Sequence, residues 1–214
     1  MKTAPVFPVA RWIALLWLLV FIPVYWREYG PVVFLNLCDI ALILACIGLW
    51  RGSALLLSSQ ALSSLVVDLA WNLDLVWRAL TGGHLLGGTE YMWEDKYPLW
   101  LRTLSLFHVV LPVGLILALR RVGYDPRGLP LQTAIAALVL VLSRLRPAAE
   151  NANFAHRDVF FDRSWGPAPV HLAVTLLGLF VIYWLTHRVL QRVMPPAPSL
   201  RTPPAASPPA AGIG

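Results

Sequence analysis

Apolar residues dominate the chain in six long segments that are separated by shorter polar connections. The segments cover residues 8–26, 31–50, 53–80, 98–119, 130–145 and 168–190. A helix needs about 20 apolar residues to cross the hydrocarbon of a bilayer, and the fifth segment is the shortest of the six. Backbone groups in lipid must find hydrogen bonds within the protein, which helices provide. The pattern therefore predicts an all-α fold, a polytopic membrane bundle of six transmembrane helices.

Composition agrees with a membrane protein and excludes an ordinary soluble domain. Of the 214 residues, 58% are hydrophobic and only 13% are charged, and the mean hydropathy is +0.66. A soluble domain carries about 25% charged residues. The net charge of +6 is spread over several loops, which favours contact with anionic headgroups and gives no basic run for nucleic acid. We expect membrane lipids as partners and no nucleic acid.

The end of the chain differs in composition from the rest. Seven prolines and five alanines occur among the 20 residues from Pro195 onwards, too few apolar side chains to build a core. We predict a transmembrane domain over residues 1–194 and a disordered Pro/Ala-rich tail over 195–214. Six spans place both termini on one side, where 9 of the 17 Lys and Arg residues fall. We predict a multi-pass protein of the cell membrane with cytoplasmic termini.

Four polar side chains recur at every fourth position of the third segment: Gln60, Ser64, Asp68 and Asn72. On a helix this spacing forms one slowly drifting stripe, which faces other helices or a hydrated cavity and not lipid. Gln60 and Ser64 are equally well explained as hydrogen bonds between helices. A carboxylate at membrane depth needs a partner or a proton, so we predict a functional role for Asp68.

The two cysteines of the chain, Cys38 and Cys46, lie in the second segment. Their separation of about 12 Å along a helix is too long for a disulfide. Cys46 has apolar neighbours and is expected to pack as a small hydrophobic residue. Cys38 is flanked by Asn36 and Asp39, so a nucleophilic role stands beside simple packing.

His108 is the one histidine placed well inside a predicted span. A thiol and an imidazole are the minimal pair for nucleophilic acyl chemistry. We predict that His108 acts as the base for Cys38 and that Asp68 or Asn72 orients the imidazole. The alternative is that His108 only packs or hydrogen-bonds. No spacing of His, Cys or acidic residues resembles a metal site, so neither a metal nor a cofactor is expected.

The element Leu35-Asn36-Leu37-Cys38-Asp39, followed by a polar-striped helix and then His108, resembles the YwaF / transmembrane protein 164 family. The resemblance covers about residues 31–190. It implies a six-helix membrane protein that moves acyl chains between glycerophospholipids, with Cys38 as acyl-accepting nucleophile and His108 as its base. A second resemblance, to bacterial integral membrane proteins, implies no activity and rests on Phe107-His108-x-x-Leu111-Pro112 and Glu150-Asn151-x-Asn153.

Two classes of function follow from these residues. The first is a lipid acyltransferase-like enzyme, or a hydrolase if water is the acceptor. It would bind substrate through the polar residues near Cys38 and through arginines that hold lipid phosphates: Asn36, Asp39, Gln60, Ser64, Asn72, Arg120, Arg121 and Arg127. The second is a transporter or scaffold in which Asp39, Asp68, Asp74 and His108 form a polar path. We interpret the polar connection 146–167 as a solvated loop, with a lid or a headgroup site as the alternative.

Overall fold

The computed structural model describes residues 6–158 and 160–198, and the regular elements in this part of the chain are all helices. It holds seven α-helices: α1 (Ala10–Tyr29), α2 (Leu37–Arg51), α3 (Ala54–Thr81), α4 (Leu99–Thr103), α5 (Phe107–Val122), α6 (Gly128–Arg144) and α7 (Ala168–Val193). The short helix α4 runs through a 3-10 turn, Leu104–Leu106, into α5. No strand occurs between residues 6 and 158 or 160 and 198, so the all-α prediction is confirmed.

Four helical stretches in the described residues are long and apolar enough to cross a membrane: Ala10–Tyr29, Ala54–Thr81, Leu99–Val122 and Ala168–Val193. The other two predicted segments form shorter helices. Helix α2 has 15 residues because Pro31–Leu35 forms a separate 3-10 turn. Helix α6 has 17 residues, in keeping with the short fifth segment.

Helix α3 is the centre of the bundle and packs against α2, α5, α6 and α7. Its first half carries small serines that let neighbouring backbones approach closely. Gly128, the first residue of α6, lies so near this helix that a Cβ would come within 2.9 Å of the Ser59 nitrogen. Helix α1 is peripheral by comparison and packs mainly on α2. Consequently α3 contributes more buried side chains than any other helix of the described residues.

The end of α7 is fastened to the turn between α5 and α6. The Tyr124 nitrogen donates to the Pro195 oxygen at 2.7 Å, and the Ala197 nitrogen donates to the Tyr124 oxygen at 3.0 Å. A Cβ on Gly123, whose φ is +81°, would lie 2.6 Å from the Pro196 oxygen. Residues 195–198 are therefore attached to the bundle, and the predicted tail begins later than Pro195. The remainder of that tail, 199–214, lies outside the described residues.

Candidate functional site

Helices α3 and α5 bring Asp68 and His108 into direct contact. His108 Nδ1 lies 2.7 Å from Asp68 Oδ1, and 0% of the Asp68 side chain and 9% of the His108 side chain are exposed. With Asp68 ionised, its carboxylate only accepts, and the imidazole then carries its proton on Nδ1. None of the residues that the structure describes forms a hydrogen bond with Nε2. The second nitrogen therefore has its lone pair available to accept a proton.

Neighbouring side chains fix the orientation of this pair. Asn72, one turn along α3 from Asp68, donates through Nδ2 to the main-chain oxygens of both His108 and Asp68 at 2.8 Å. The Phe107 and Trp71 rings stack on the imidazole with centroid distances of 4.1 and 4.8 Å. The structure thus gathers Asp68, Asn72 and His108, three of the predicted site residues, in one place.

The other half of the α3 stripe connects α3 to α6. Gln60 Nε2 donates to Ser59 Oγ at 2.7 Å and points towards Gln132 Oε1 at 3.5 Å. Ser64 Oγ is buried and has no partner among the described residues. These contacts favour the interhelical interpretation of Gln60, and among the described residues Gln60 makes no hydrogen bond with the Asp68–His108 pair.

Cys38 lies in the first turn of α2, close to the Asp68–His108 pair but not joined to it. The thiol is partly buried and packs on an apolar cluster that contains Phe107, the residue before His108. Asn36 Nδ2 donates to Asp39 Oδ2 at 3.2 Å, so these two residues bind each other. In the described part of the chain no hydrogen bond connects the Cys38 sulfur to His108.

Asn153 holds the segment that carries Cys38. Its Oδ1 accepts from the Leu37 nitrogen at 2.9 Å, and its Nδ2 donates to the Leu35 oxygen at 2.7 Å and to Ser143 Oγ at 2.9 Å. Asn153 has a left-handed φ of 52°, which asparagine tolerates better than most residues. The connection 146–167 is therefore not merely a solvated loop, because this side chain reaches into the bundle and anchors the start of α2.

Asp74 serves a different purpose from the rest of α3. The backbone N–H groups of Leu85, Leu86 and Gly87 donate to its Oδ1 at 2.7, 2.6 and 3.2 Å. The backbone and hydroxyl of Thr89 donate to its Oδ2 at 3.0 and 2.6 Å. The glycine-rich loop, residues 82–88, thus forms a backbone nest for an anion. The anion that it surrounds is the carboxylate of Asp74. Because both carboxylate oxygens of Asp74 accept hydrogen bonds from the loop, this residue does not fit the polar path of the transporter or scaffold hypothesis.

The three arginines that we predicted to hold lipid phosphates lie far along the bundle from His108. Arg120 and Arg121 are at the end of α5, about 18–20 Å of helical rise from His108, and Arg127 is in the following turn. Arg127 NH2 pairs with Asp125 Oδ2 at 2.7 Å, and this guanidinium holds the pKa of Asp125 below its usual value. A phosphate bound there would lie far from an ester at His108, so the distance does not favour these arginines as ligands of the reacting lipid, and their role in binding lipid phosphates stays a prediction.

Chemically, the site is a buried carboxylate–imidazole pair with a thiol nearby. Within residues 6–158 and 160–198, no three His, Cys, Asp or Glu side chains converge in a way that would hold a metal ion. Comparison with protein-family models, with curated proteins and with solved structures finds no match. The fold and site define an all-helical protein with apolar, membrane-length helices around a buried acid–base pair. Its resemblance to the YwaF / transmembrane protein 164 family stays a prediction.

Proposed function

We propose that this chain is an integral protein of the cell membrane, a bundle of six transmembrane helices with cytoplasmic termini, that transfers acyl groups between membrane lipids. The observation that carries the proposal is the buried hydrogen bond between Asp68 and His108. It is the arrangement in which a carboxylate orients a general base for a nucleophile. The shorter helices α2 and α6 cross the bilayer where it is locally thinned.

In the proposed first half-reaction His108 activates Cys38. As the sulfur attacks the carbonyl carbon of a phospholipid ester, the thiol proton moves to His108 Nε2. The carbon–oxygen bond of the ester breaks, and the leaving alkoxide of the lysolipid takes that proton from the imidazolium. The products are an acyl thioester on Cys38 and a lysolipid. Asp68 stabilises the transient positive charge on His108.

The second half-reaction returns the acyl group to a lipid. A hydroxyl of another lysolipid loses its proton to His108 Nε2 and attacks the thioester carbon. The carbon–sulfur bond breaks, and the thiolate recovers the proton from the imidazolium. Water in place of the lysolipid would make the same site a hydrolase. Both half-reactions require Cys38 to approach Nε2, and hydrogen bonds in empty active sites are often longer than in the complexes that react.

The two cysteines of α2 provide a matched test of this proposal. In vesicles containing the purified protein and two phospholipids with different acyl chains, Cys38→Ala is expected to abolish acyl exchange. Cys46→Ala, which truncates a buried thiol about two turns along the same helix, is expected to retain exchange. Product lipids are quantified by mass spectrometry. Full exchange by Cys38→Ala would overturn the covalent mechanism.

A second candidate, a path for protons or water, is favoured by one observation. Five buried polar atoms without a partner among the described residues occur on α3 and the facing α6: Gln60 Oε1, Ser64 Oγ, Asp68 Oδ2, Trp71 Nε1 and Gln132 Nε2. Buried groups of this kind are commonly satisfied by internal water. Proton flux in liposomes that depends on Asp68 but persists in Cys38→Ala, with no acyl exchange by the unaltered protein, would favour this candidate.

A further inference from the structure

A cavity of about 560 Å³ opens between α1, α2 and α5, and neither Asp68 nor His108 lines it. Helix α1 packs on α2, and α5 packs on α2 and α3, which leaves a gap between α1 and α5. The lining side chains are hydrophobic with one exception, Arg121. The volume falls within the roughly 300–1,000 Å³ of typical ligand sites. The molecule therefore has a second candidate binding site, which is lined by hydrophobic residues and one arginine.

The shape of this groove fits a hydrocarbon chain. Its lining runs along α5 from Phe107 to Arg121, about 21 Å of helical rise. One leaflet contributes roughly 15 Å of hydrocarbon, so the groove is long enough for an extended acyl chain. Gly114 lies midway on the lining, and nothing is within 4 Å of the position that its Cβ would occupy. The absence of a side chain there keeps the groove open.

Arg121 gives the groove one charged end. Its guanidinium lies 5.9 Å from the centre of the Phe7 ring, and no carboxylate in the described residues pairs with it. Arg120 and Arg121 are both exposed, but only Arg121 lines the groove. An arginine at the edge of an apolar groove, near the end of a membrane-length helix, is complementary to a lipid phosphate.

We propose that this groove binds one acyl chain of a phospholipid whose anionic headgroup pairs with Arg121. The chain runs along α5 past Gly114 and ends at Phe107, whose ring separates it from His108. This binding site is distinct from the proposed acyl-transfer site and requires no chemistry at Cys38. In this proposal Arg121 binds the phosphate of the lipid that lies in the groove. Arg121 is too far along α5 to bind the phosphate of a lipid whose ester reacts at His108.

Two matched pairs of variants test the proposal. Retention of phosphatidylglycerol by the purified full-length protein in detergent is titrated by native mass spectrometry. Gly114→Leu fills the groove and Arg121→Gln removes its charge, and each is expected to weaken retention about tenfold. Gly178→Leu, at an equally open helical glycine of α7, and Arg120→Gln are expected to bind as the unaltered protein does.

The outcomes separate the groove from unspecific lipid binding. Equal retention by Gly114→Leu and Gly178→Leu would overturn the groove as the site. Equal retention by Arg121→Gln and Arg120→Gln, or binding of uncharged diacylglycerol as tight as that of phosphatidylglycerol, would overturn the headgroup assignment. Thermal unfolding of each variant checks its fold. Acyl exchange is assayed in parallel, so that a failure of the proposed enzyme activity is recognised separately from a failure of lipid binding.

Discussion

Replacing His108 with Ala is expected to slow acyl exchange in reconstituted vesicles by about 100-fold or more, because a positioned general base contributes roughly 10²–10⁴ to a rate. Asp68→Asn is expected to cause a comparable loss. The amide nitrogen of Asn would donate to His108 Nδ1, which would move the imidazole proton to Nε2 and leave no base facing Cys38. Initial rates of exchange under saturating lipid measure both effects.

His187 provides the control for this prediction. It lies towards the end of α7, where the Tyr124 hydroxyl is 2.7 Å from its Nδ1, far along the bundle from His108. His187→Ala is therefore expected to exchange lipids at nearly the unaltered rate. Should His108→Ala and His187→Ala have the same activity, the acid–base role of the buried pair would have to be abandoned.

Replacing Asp74 with Ala is expected to lower the free energy of unfolding by about 3–5 kcal/mol. The change would leave several converging N–H groups of the glycine-rich loop without their acceptor. Asp74→Asn, which keeps one acceptor oxygen, is expected to lose less. Denaturant or thermal unfolding of the purified protein in detergent, followed by circular dichroism, measures the difference.

Asp95 offers a matched acidic position on the same side of the bundle. It is exposed, so Asp95→Ala is expected to change stability by no more than about 0.5 kcal/mol. If Asp74→Ala unfolds under the same conditions as Asp95→Ala, the loop does not depend on this carboxylate.

Periodicity along the third segment was sufficient to predict much of the site. The spacing of four residues puts Asp68 and Asn72 on one face, and a buried carboxylate requires a partner. His108 was the one histidine available at that depth, and the structure pairs it with Asp68. The rule that buried polar groups need hydrogen-bond partners thus predicted a contact between two residues that are 40 positions apart in the chain.

The loops carried information that periodicity does not contain. Asn153 caps the segment before α2 from a connection with left-handed residues, and no hydrophobic pattern specifies such a conformation. The wrapping of the glycine-rich loop around Asp74 likewise depends on backbone N–H groups, which every non-proline residue has. The glycines of that loop and Thr89 are visible in the sequence, but their composition does not specify that they surround the carboxylate of Asp74.

The predicted role of the arginines depends on the length of α5, which the spacing of polar residues does not take into account. The helical rise alone separates Arg120 and Arg121 from His108 by about 18–20 Å, so a single lipid cannot place its phosphate at one end and its reacting ester at the other. Two lipid sites, one with its headgroup at Arg121 and one with its reacting ester at His108, are consistent with that distance. Arg121 at the end of the groove and His108 beyond Phe107 then serve different lipids.

The most direct test of the central claim, that His108 activates Cys38 for acyl transfer, is the mass of the Cys38 peptide after reaction. The protein is incubated with a phospholipid that carries an isotopically labelled acyl chain, quenched in acid and digested. The account predicts one labelled acyl group on Cys38, removable by hydroxylamine, absent from Cys46 and strongly reduced in His108→Ala. An unmodified Cys38 in protein that is exchanging acyl chains would contradict it.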